Sequence, residues 1–325
     1  MDRREFLKGT ACLGALVATS GLPVHAEDNP KVFPERGKNE RLSLSYATVA
    51  IGLPKPFSVL HISDTHLTAA YPHENKNKLY LHENRTKTFG GRQEEALKDS
   101  LDWARVNTDY VIHTGDLIDW QSEANFDLVR KYYGGIALGT MGNHEYSPSM
   151  WLNSEKETKD DAWRAKSAKA LSSAYPFDIS FHAQVVNGVN FVMIDDVFGT
   201  VTERQVGLFA AEVKKGLPII LCMHVPFYTP DIWLAHTKFW SYADWKATDR
   251  TFSAAAAPEA YGDYKAQQTD KVTREFIAYL KSEKLLKGIL AGHLHITVQE
   301  RFSPTAMQYV VGGNFMFHGQ EVLFT

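Results

Sequence analysis

Hydrophobic residues recur along this chain at two spacings, which predict a mixture of strands and helices. Short and almost continuously apolar runs, such as residues 57–62 and 217–223, are typical of strands that are covered on both faces. Longer segments with an apolar residue every three or four positions, such as residues 92–106, predict amphipathic helices. The predicted strands cover residues 42–51, 57–62, 109–114, 136–141, 179–186, 189–194, 217–223, 288–291, 296–302, 308–311 and 321–324, and the predicted helices cover residues 92–106, 124–133, 161–174, 202–216 and 269–284.

Two local signals refine these elements. Asn187-Gly188 lies between two predicted strands and indicates a β-hairpin with a type I′ turn. Thr202 followed by Gln205 three residues later has the spacing of a capping box, so a helix should begin at Thr202. Because strands and helices are mixed throughout and no repeat or low-complexity tract interrupts them, the sequence predicts one layered α/β domain.

Three segments show neither spacing. Residues 68–89 are polar and contain Pro72, and we predict a long loop there. Residues 147–158 are also predicted to be a loop. Residues 226–252 are rich in Trp, Tyr and Phe, and we interpret the region of about 226–265 as a packed insertion. The alternative is a cap whose rings bind a base, a sugar or an acyl chain.

The N-terminus carries the features of an export signal. Arg3 and Arg4 precede an apolar run from residue 9 to about 22, and Val24-His25-Ala26 forms a small-x-small cleavage pattern. The twin arginines resemble a bacterial twin-arginine translocation (Tat) signal, with an ordinary Sec signal or an uncleaved anchor as alternatives. We predict that residues 1–26 are this signal, and that the Tat machinery exports residues 27–325 to the periplasm or beyond. The run is shorter than the about 20 residues that span a membrane, so no stable insertion is expected after cleavage.

Composition narrows the class of partner. The chain is 44% hydrophobic and 22% charged, which is ordinary for a globular protein, and its net charge is -3. A mildly acidic protein lacks the basic surface that non-specific nucleic-acid binding needs, so no nucleic-acid partner is expected. Cys222 is the only cysteine after the signal, which leaves no internal disulfide to stabilise the domain.

Polar side chains with metal-binding chemistry follow five of the predicted strands. In layered α/β folds such strand ends gather ligands on one face. Oxygen and imidazole donors without thiolates suit Mn, Fe or Zn better than a structural zinc site of the cysteine type. Seven donors are too many for one tetrahedral ion but suit two ions that share a carboxylate. The seven candidates are Asp64, His66, Asp116, Asn143, His224, His293 and His295.

The order of these motifs resembles the calcineurin-like metallophosphoesterase family. The series is Asp-x-His, Gly-Asp-x-x-Asp, Gly-Asn-His-Glu, His and Gly-His-x-His, between about residues 59 and 295. The resemblance implies a four-layer α/β/β/α sandwich of two mixed sheets flanked by helices, with two divalent or mixed-valence metal ions. It also implies ligand sets for the two ions, which are Asp64, His66 and His295 for one, Asn143, His224 and His293 for the other, and Asp116 as the bridge.

The same resemblance implies roles for two residues that do not bind metal. His144 would face the phosphate, stabilise the developing charge and help to protonate the leaving oxygen. Asp119 would orient His144 and keep its imidazole in the correct tautomer. A metal-bridging hydroxide would attack phosphorus in line. We interpret His61, His113 and Glu145 as supporting residues.

At two positions the sequence differs from subclasses of this family, and both differences argue against membership of those subclasses. Trp120-Gln121 stands where the Ser/Thr protein phosphatases have Arg-Gly, and Asp119 stands where purple acid phosphatases have an iron-binding Tyr. We expect an enzyme that hydrolyses small-molecule phosphate esters, with a phosphomonoesterase favoured because export suits phosphate scavenging. The alternatives are a phosphodiesterase or nucleotidase acting on cyclic nucleotides, nucleotides or phospholipid head groups. A non-catalytic binding module would have lost ligands or His144, and neither loss is seen.

Overall fold

A computed structural model describes residues 41–149, 161–242 and 271–325. The predicted signal at 1–26 lies outside the described residues, as do most of the predicted loop at 147–158 and much of the insertion of about 226–265. The strands are β1 (Ser43–Val49), β2 (Phe57–Ile62), β3 (Tyr110–His113), β4 (Leu138–Gly139), β5 (Phe181–Val186), β6 (Val189–Ile194), β7 (Ile219–Cys222), β8 (Leu286–Ala291), β9 (Val298–Arg301), β10 (Met307–Val310) and β11 (His318–Phe324). The helices are α1 (Lys76–Thr88), α2 (Gln93–Asn107), α3 (Glu123–Tyr132), α4 (Asp161–Leu171), α5 (Glu203–Val213), α6 (Pro230–Tyr242) and α7 (Lys271–Ser282), with a 3-10 turn at Asn314–Met316.

The strands form two mixed sheets. The first has the order β1-β11-β2-β3-β4, in which only β11 and β2 pair antiparallel. The second has the order β5-β6-β7-β8-β10-β9, in which the two outermost pairs are antiparallel and the central strands are parallel. The central parallel strands point their carboxyl ends in one direction within each sheet, which is the arrangement that gathers ligands.

Side-chain alternation along the strands builds four layers. In β2, Phe57 and Val59 point between the sheets, where they join Phe191 in one core, whereas Leu60 and Ile62 point outwards. The outer face of the first sheet packs against α2, α3 and α4, and the outer face of the second packs against α5 and α7. The predicted α/β sandwich of two mixed sheets flanked by helices is therefore confirmed.

The prediction of a loop across residues 68–89 is wrong for its second half. Helix α1 occupies Lys76–Thr88 and begins with an N-cap, because the side chain of Asn75 accepts a hydrogen bond from the backbone N–H of Lys78. Leu81 is its one buried residue, so no apolar stripe marked the helix in the sequence. Polar contacts hold it instead, and Lys78 donates to the backbone carbonyls of Gln121 and Pro148.

The aromatic segment that showed no clean period also contains a helix. Helix α6 runs over Pro230–Tyr242, and its buried residues Ile232 and His236 lie four positions apart on one face. Two finer predictions are confirmed. Asn187 and Gly188 have φ values of 50° and 84°, as a type I′ turn requires, and Thr202 and Gln205 form the capping box of α5.

Within the described part of the chain, no helix combines the length and the apolar character needed to cross a membrane.

Candidate metal centre

The fold brings all nine predicted site residues to one place. Each comes from the loop that follows a strand, and the loops after β2, β3, β4, β7 and β8 contribute one or two residues each. Three groups of possible metal-binding side chains have their ligand atoms within 4.8 Å of one another. These groups are Asp64, His66 and His295; His66, Asp119 and His144; and Asp116, His224 and His293.

The loops hold these residues in unusual backbone conformations. Five of the site residues lie in the left-handed region, which costs about 1 to 3 kcal/mol for a residue other than glycine. Hydrogen bonds between loops compensate, because the backbone N–H of Asp64 donates to the carbonyl of Gly115 and that of His66 donates to the carbonyl of Asp116, both at 2.9 Å. The five φ values are 55° for Asp64, 52° for His66, 56° for Asp116, 68° for His293 and 56° for His295.

Glu145 ties two of the loops together below the site. Its buried carboxylate accepts hydrogen bonds from the backbone N–H groups of Asp116 at 3.0 Å, Leu117 at 2.7 Å and Gly142 at 2.9 Å. The hydroxyl of Tyr175 also donates to it at 3.1 Å. Glu145 therefore acts on the loops that carry site residues and does not itself line the site.

The first group surrounds a point at which two acceptors and two imidazoles converge. Oδ1 of Asp64 is buried, makes no well-formed hydrogen bond to a described residue, and lies 3.3 Å from Nε2 of His295. Nε2 of His66 lies 3.1 Å from Nε2 of His295 and 3.7 Å from Oδ2 of Asp116. A buried carboxylate oxygen without a donor is costly, and a bound cation would remove that cost.

The group of Asp116, His224 and His293 includes the same carboxylate oxygen of Asp116. Its Oδ2 lies 3.3 Å from Nε2 of His224, and Oδ1 of Asn143 lies 3.2 Å from the same nitrogen. The ring of His293 lies 5.0 Å from that of His224, measured between centroids. Because Oδ2 of Asp116 faces both His66 and His224, it stands between this group and that of Asp64, His66 and His295.

Hydrogen bonds at Nδ1 of His66 and His224 leave the Nε2 atom of each ring to bind a cation. Nδ1 of His66 lies 3.0 Å from Oδ1 of Asp119, and Nδ1 of His224 lies 2.7 Å from the carbonyl of Thr114. Both Nδ1 atoms must donate, so in the neutral rings the Nε2 lone pairs point at carboxylate or amide oxygens. Lone pairs that face acceptors repel unless a metal ion or a proton on Nε2 lies between them, and without a metal ion the charge of Asp116 outweighs burial and raises the pKa of His224 to about 10. The donor set therefore fits metal ions.

His144 pairs with Asp119 at the edge of the groups. Its Nδ1 lies 2.7 Å from Oδ1 of Asp119, its Nε2 lies 4.0 Å from Oδ2 of Asp116, and its side chain is 14% exposed. Burial lowers the pKa of His144, but the negative charges of Asp116 and Asp119 outweigh burial and raise that pKa to about 9. Burial opposes the ionised form of Asp119 too, yet the positive charge of His144 and the hydrogen bond from Arg85 hold its pKa well below the usual range.

The histidines of β2 and β3 are core residues. His61 and His113 are fully buried, and each places Nε2 2.9 Å from a threonine hydroxyl, Thr114 for His61 and Thr65 for His113. Burial lowers the pKa of both imidazoles to about 3, so both are neutral at physiological pH. They support the loops from beneath, as their apolar sequence context predicts.

Several residues near the site had no signal in the sequence. Asp196 accepts hydrogen bonds from the backbone N–H groups of His224 at 3.1 Å and Val225 at 3.2 Å. His236 is buried in α6, and burial, with smaller contributions from His293 and His295, lowers its pKa to about 3.

An aromatic pair lines one side of His66. Phe89 stacks on the His66 ring with centroids 4.3 Å apart and an angle of 10° between the planes. Phe315 meets the rings of His295 at 5.1 Å and Phe89 at 4.9 Å, edge to face. Phe89 follows a helix that the sequence did not reveal, and Phe315 lies in the 3-10 turn before β11, so neither residue belongs to a motif.

The chain belongs to the calcineurin-like phosphoesterase family, whose model matches residues 57–297. The resemblance of the motifs is thereby confirmed, and with it the class, a metal-dependent phosphoric ester hydrolase. The His and Asp groups described above are compatible with the metal binding of that class.

Solved structures of low sequence identity are similar to the chain. A dimetal phosphatase from Danio rerio shares 14% identity with a TM-score of 0.43, over 80% of this chain and 88% of that protein. The phosphopantetheinyl hydrolase of Mycobacterium tuberculosis shares 13% identity with a TM-score of 0.39, over 80% and 91%. The purple acid phosphatase PPD1 of yellow lupin shares 12% identity with a TM-score of 0.42, over 80% of this chain, which spans 44% of that protein. No curated protein sequence matches the chain significantly.

Proposed function

We propose that this chain is an exported phosphomonoesterase that works with two metal ions. Mn, Fe or Zn would suit the oxygen and imidazole donors. When bound, the ions would supply positive charge to the phosphoryl oxygens and lower the pKa of the attacking water. The proposed ligands are Asp64, His66 and His295 for one ion and Asn143, His224 and His293 for the other, with Asp116 shared.

The observation that supports this proposal most directly is the position of Asp116. Its Oδ2 lies 3.7 Å from Nε2 of His66 and 3.3 Å from Nε2 of His224, so one oxygen faces both proposed ligand sets. The buried Oδ1 of Asp64, which makes no well-formed hydrogen bond to a described residue and faces Nε2 of His295 at 3.3 Å, adds a second reason to expect a cation. Two ions sharing a carboxylate is the arrangement that phosphoryl-transfer sites of this kind use.

The chain's own contribution to the reaction would be a proton. His144 in its charged form carries a proton on Nε2, and Asp119 holds Nδ1 at 2.7 Å. The Nε2 proton would pass to the oxygen of the departing alcohol, and the charged ring would attract the phosphate beforehand.

Metal removal tests the proposal. EDTA should abolish hydrolysis of p-nitrophenyl phosphate, Mn²⁺ should restore it, and metal analysis should find two ions per chain. Full activity in a sample shown by elemental analysis to be free of metal would contradict the metal mechanism.

Replacement of His144 tests the proton donor. On glycerol phosphate, whose leaving alkoxide needs a proton, His144→Ala should keep both ions and lose about 10²- to 10⁴-fold in kcat, the usual contribution of general acid catalysis. His73→Ala is the matched control, since His73 is an exposed imidazole paired with Glu123. Unchanged turnover in His144→Ala would remove His144 from the mechanism.

The aromatic pair supports a second candidate, a nucleotidase. Phe89 and Phe315 are partly exposed and lie against His66 and His295, where a base could stack on them. A nucleoside monophosphate should then have a lower KM than glycerol phosphate, and Phe315→Leu should remove the difference. Equal KM values would favour a general phosphomonoesterase, and preference for bis-p-nitrophenyl phosphate would favour a phosphodiesterase.

Export is proposed on the sequence of residues 1–26. Replacing Arg3 and Arg4 by lysine should stop a Tat-dependent protein from leaving the bacterial cytoplasm. Fractionation and N-terminal sequencing of the exported form would check both the route and the cleavage after Ala26. Export that continues in the double lysine variant would point to the Sec route instead.

A further inference from the structure

Arg85 lies in the last turn of α1 and forms a two-pronged ion pair with Asp119. Nε of Arg85 donates to Oδ2 of Asp119 at 2.5 Å, and Nη2 donates to Oδ1 at 2.9 Å. The Asp119 side chain is 0% exposed and that of Arg85 is 17% exposed, so solvent screens the pair little. A bidentate contact of this kind determines both the position and the rotation of the carboxylate plane.

The rotation of this carboxylate matters because one of its oxygens is shared. Oδ1 of Asp119 lies 3.0 Å from Nδ1 of His66 and 2.7 Å from Nδ1 of His144. His66 belongs to a proposed ligand set, and His144 is the proposed proton donor. This single oxygen therefore contacts both rings, and the Nδ1 of His144 lies 3.3 Å from the backbone carbonyl of Asp119 as well.

The guanidinium of Arg85 also packs against the ring of Phe89. Cζ of Arg85 lies 4.9 Å from the centroid of the Phe89 ring, and that ring stacks on His66. Arg85 is thus held between an aromatic face and a carboxylate. A lysine would retain the charge but could neither form the planar two-pronged contact nor stack in the same way.

We propose that Arg85 is a positioning residue for the site, acting through Asp119 on His66 and His144. The inference rests on the proposed function, since it takes His144 as the proton donor to the leaving alcohol. A guanidinium from α1 thereby supports a carboxylate of the loop after β3, although the two are 34 positions apart in the chain.

The test compares Arg85→Ala and Arg85→Lys with wild type on two monoesters. p-Nitrophenyl phosphate releases a good leaving group that needs little protonation, whereas glycerol phosphate releases an alkoxide that needs a proton. We expect Arg85→Ala to lose about 10- to 100-fold in kcat on glycerol phosphate, the usual cost of removing an outer-shell partner, and clearly less on p-nitrophenyl phosphate. Arg85→Lys should recover only part of the loss, and added guanidinium should restore activity to Arg85→Ala.

A second readout does not depend on activity. In protein labelled with ¹⁵N-histidine, the Nδ1–H signals of His66 and His144 should be protected from exchange in wild type and exposed in Arg85→Ala. Arg105→Ala is the matched control, because Arg105 pairs with Asp102 at 3.2 Å on the exposed face of α2 and should change nothing. Thermal unfolding of each variant shows whether the fold persists, and Arg85→Lys carries the test if Arg85→Ala does not fold.

The outcomes separate this inference from the function on which it rests. If the wild type hydrolyses neither monoester but its His66 and His144 Nδ1–H groups are protected from exchange, the proposed phosphomonoesterase function is wrong. The positioning role of Arg85 would still stand. In an active wild type, an equal loss on both substrates, or unchanged kcat, would overturn the positioning role. A rise in KM alone would also overturn it, because it would mean that Arg85 binds the substrate directly.

Discussion

Gly142 lies where the loop after β4 passes closest to Asp116. A Cβ at this position would collide with Oδ1 and the backbone nitrogen of Asp116, which are the atoms that place the proposed shared carboxylate. Gly292 is placed in the same way against Ser63 and Asp64. Both glycines belong to motifs recognised in the sequence. The structure explains why glycine is needed at both positions, because neighbouring loops approach too closely to leave room for a side chain.

Gly142→Ala should therefore displace Asp116 and reduce both metal content and kcat. Overpacking of this kind costs about 1 to 3 kcal/mol in stability, which urea unfolding would measure. Gly207→Ala is the control, because Gly207 lies within α5 with no atom within 4 Å of the added methyl. That variant should gain about 0.5 to 1 kcal/mol and keep its metal. Normal metal binding in Gly142→Ala would refute the close-approach argument.

Helices α1 and α5 show how differently two helices of this chain are specified. Helix α5 has a capping box, with Thr202 and Gln205 each bonded to the other's backbone, and it carries buried Phe209. Helix α1 has Asn75 as its cap but only Leu81 in the core. The start of α5 can therefore be predicted from its local sequence, whereas α1 depends on its contacts with other parts of the fold.

The cap of α5 can be tested by a pair of substitutions. Thr202→Val keeps the shape of the side chain but removes the oxygen that accepts from the backbone N–H of Gln205, so the free energy of unfolding should fall by about 1 kcal/mol. Thr202→Ser keeps the acceptor and should change it little. Urea unfolding of both variants measures the difference, and equal stability of the two would show that the hydroxyl contributes nothing.

Strand β11 joins β1 to the rest of the first sheet. β11 lies between β1 and β2 in the first sheet, pairing parallel with one and antiparallel with the other. Val322 and Phe324 belong to the core between the sheets. β11 therefore completes the first sheet, and the loop after its neighbour β2 carries Asp64 and His66.

Deletion of residues 318–325 should prevent folding although it removes none of the nine site residues. Without β11, the edges of β1 and β2 and part of the central core would be exposed to water. Circular dichroism and metal binding should both show the loss. Substitution of Thr325 alone by alanine is the control, and a truncated protein that folds and binds metal would contradict the prediction.

Much of the architecture was predictable because it depends on local patterns. The apolar run at Phe57–Ile62 matches β2 residue for residue, and the Asn187-Gly188 turn has the left-handed angles that its residues favour. Helix α1 was missed because its apolar residues Leu79, Tyr80 and Leu81 are consecutive and form no stripe, and α6 was missed because its sequence shows no clean helical period.

The site residues likewise fall into those that the sequence predicts and those that only the folded structure reveals. The motifs after five strands predict which side chains converge, since the ends of neighbouring parallel strands meet at one edge of a sheet. Arg85, Phe89, Asp196 and His236 belong to no motif, and only their contacts in the folded chain reveal them.

Local order and spacing thus specify the strands, the turn, the cap and the identity of the proposed ligands, because each depends on residues close together in the chain. The geometry around Asp119 has a different origin. Its carboxylate meets His66, His144 and Arg85 from three separate segments, so its orientation exists only after β2, β3 and β4 have paired and the polar helix α1 has packed against the loops that follow them.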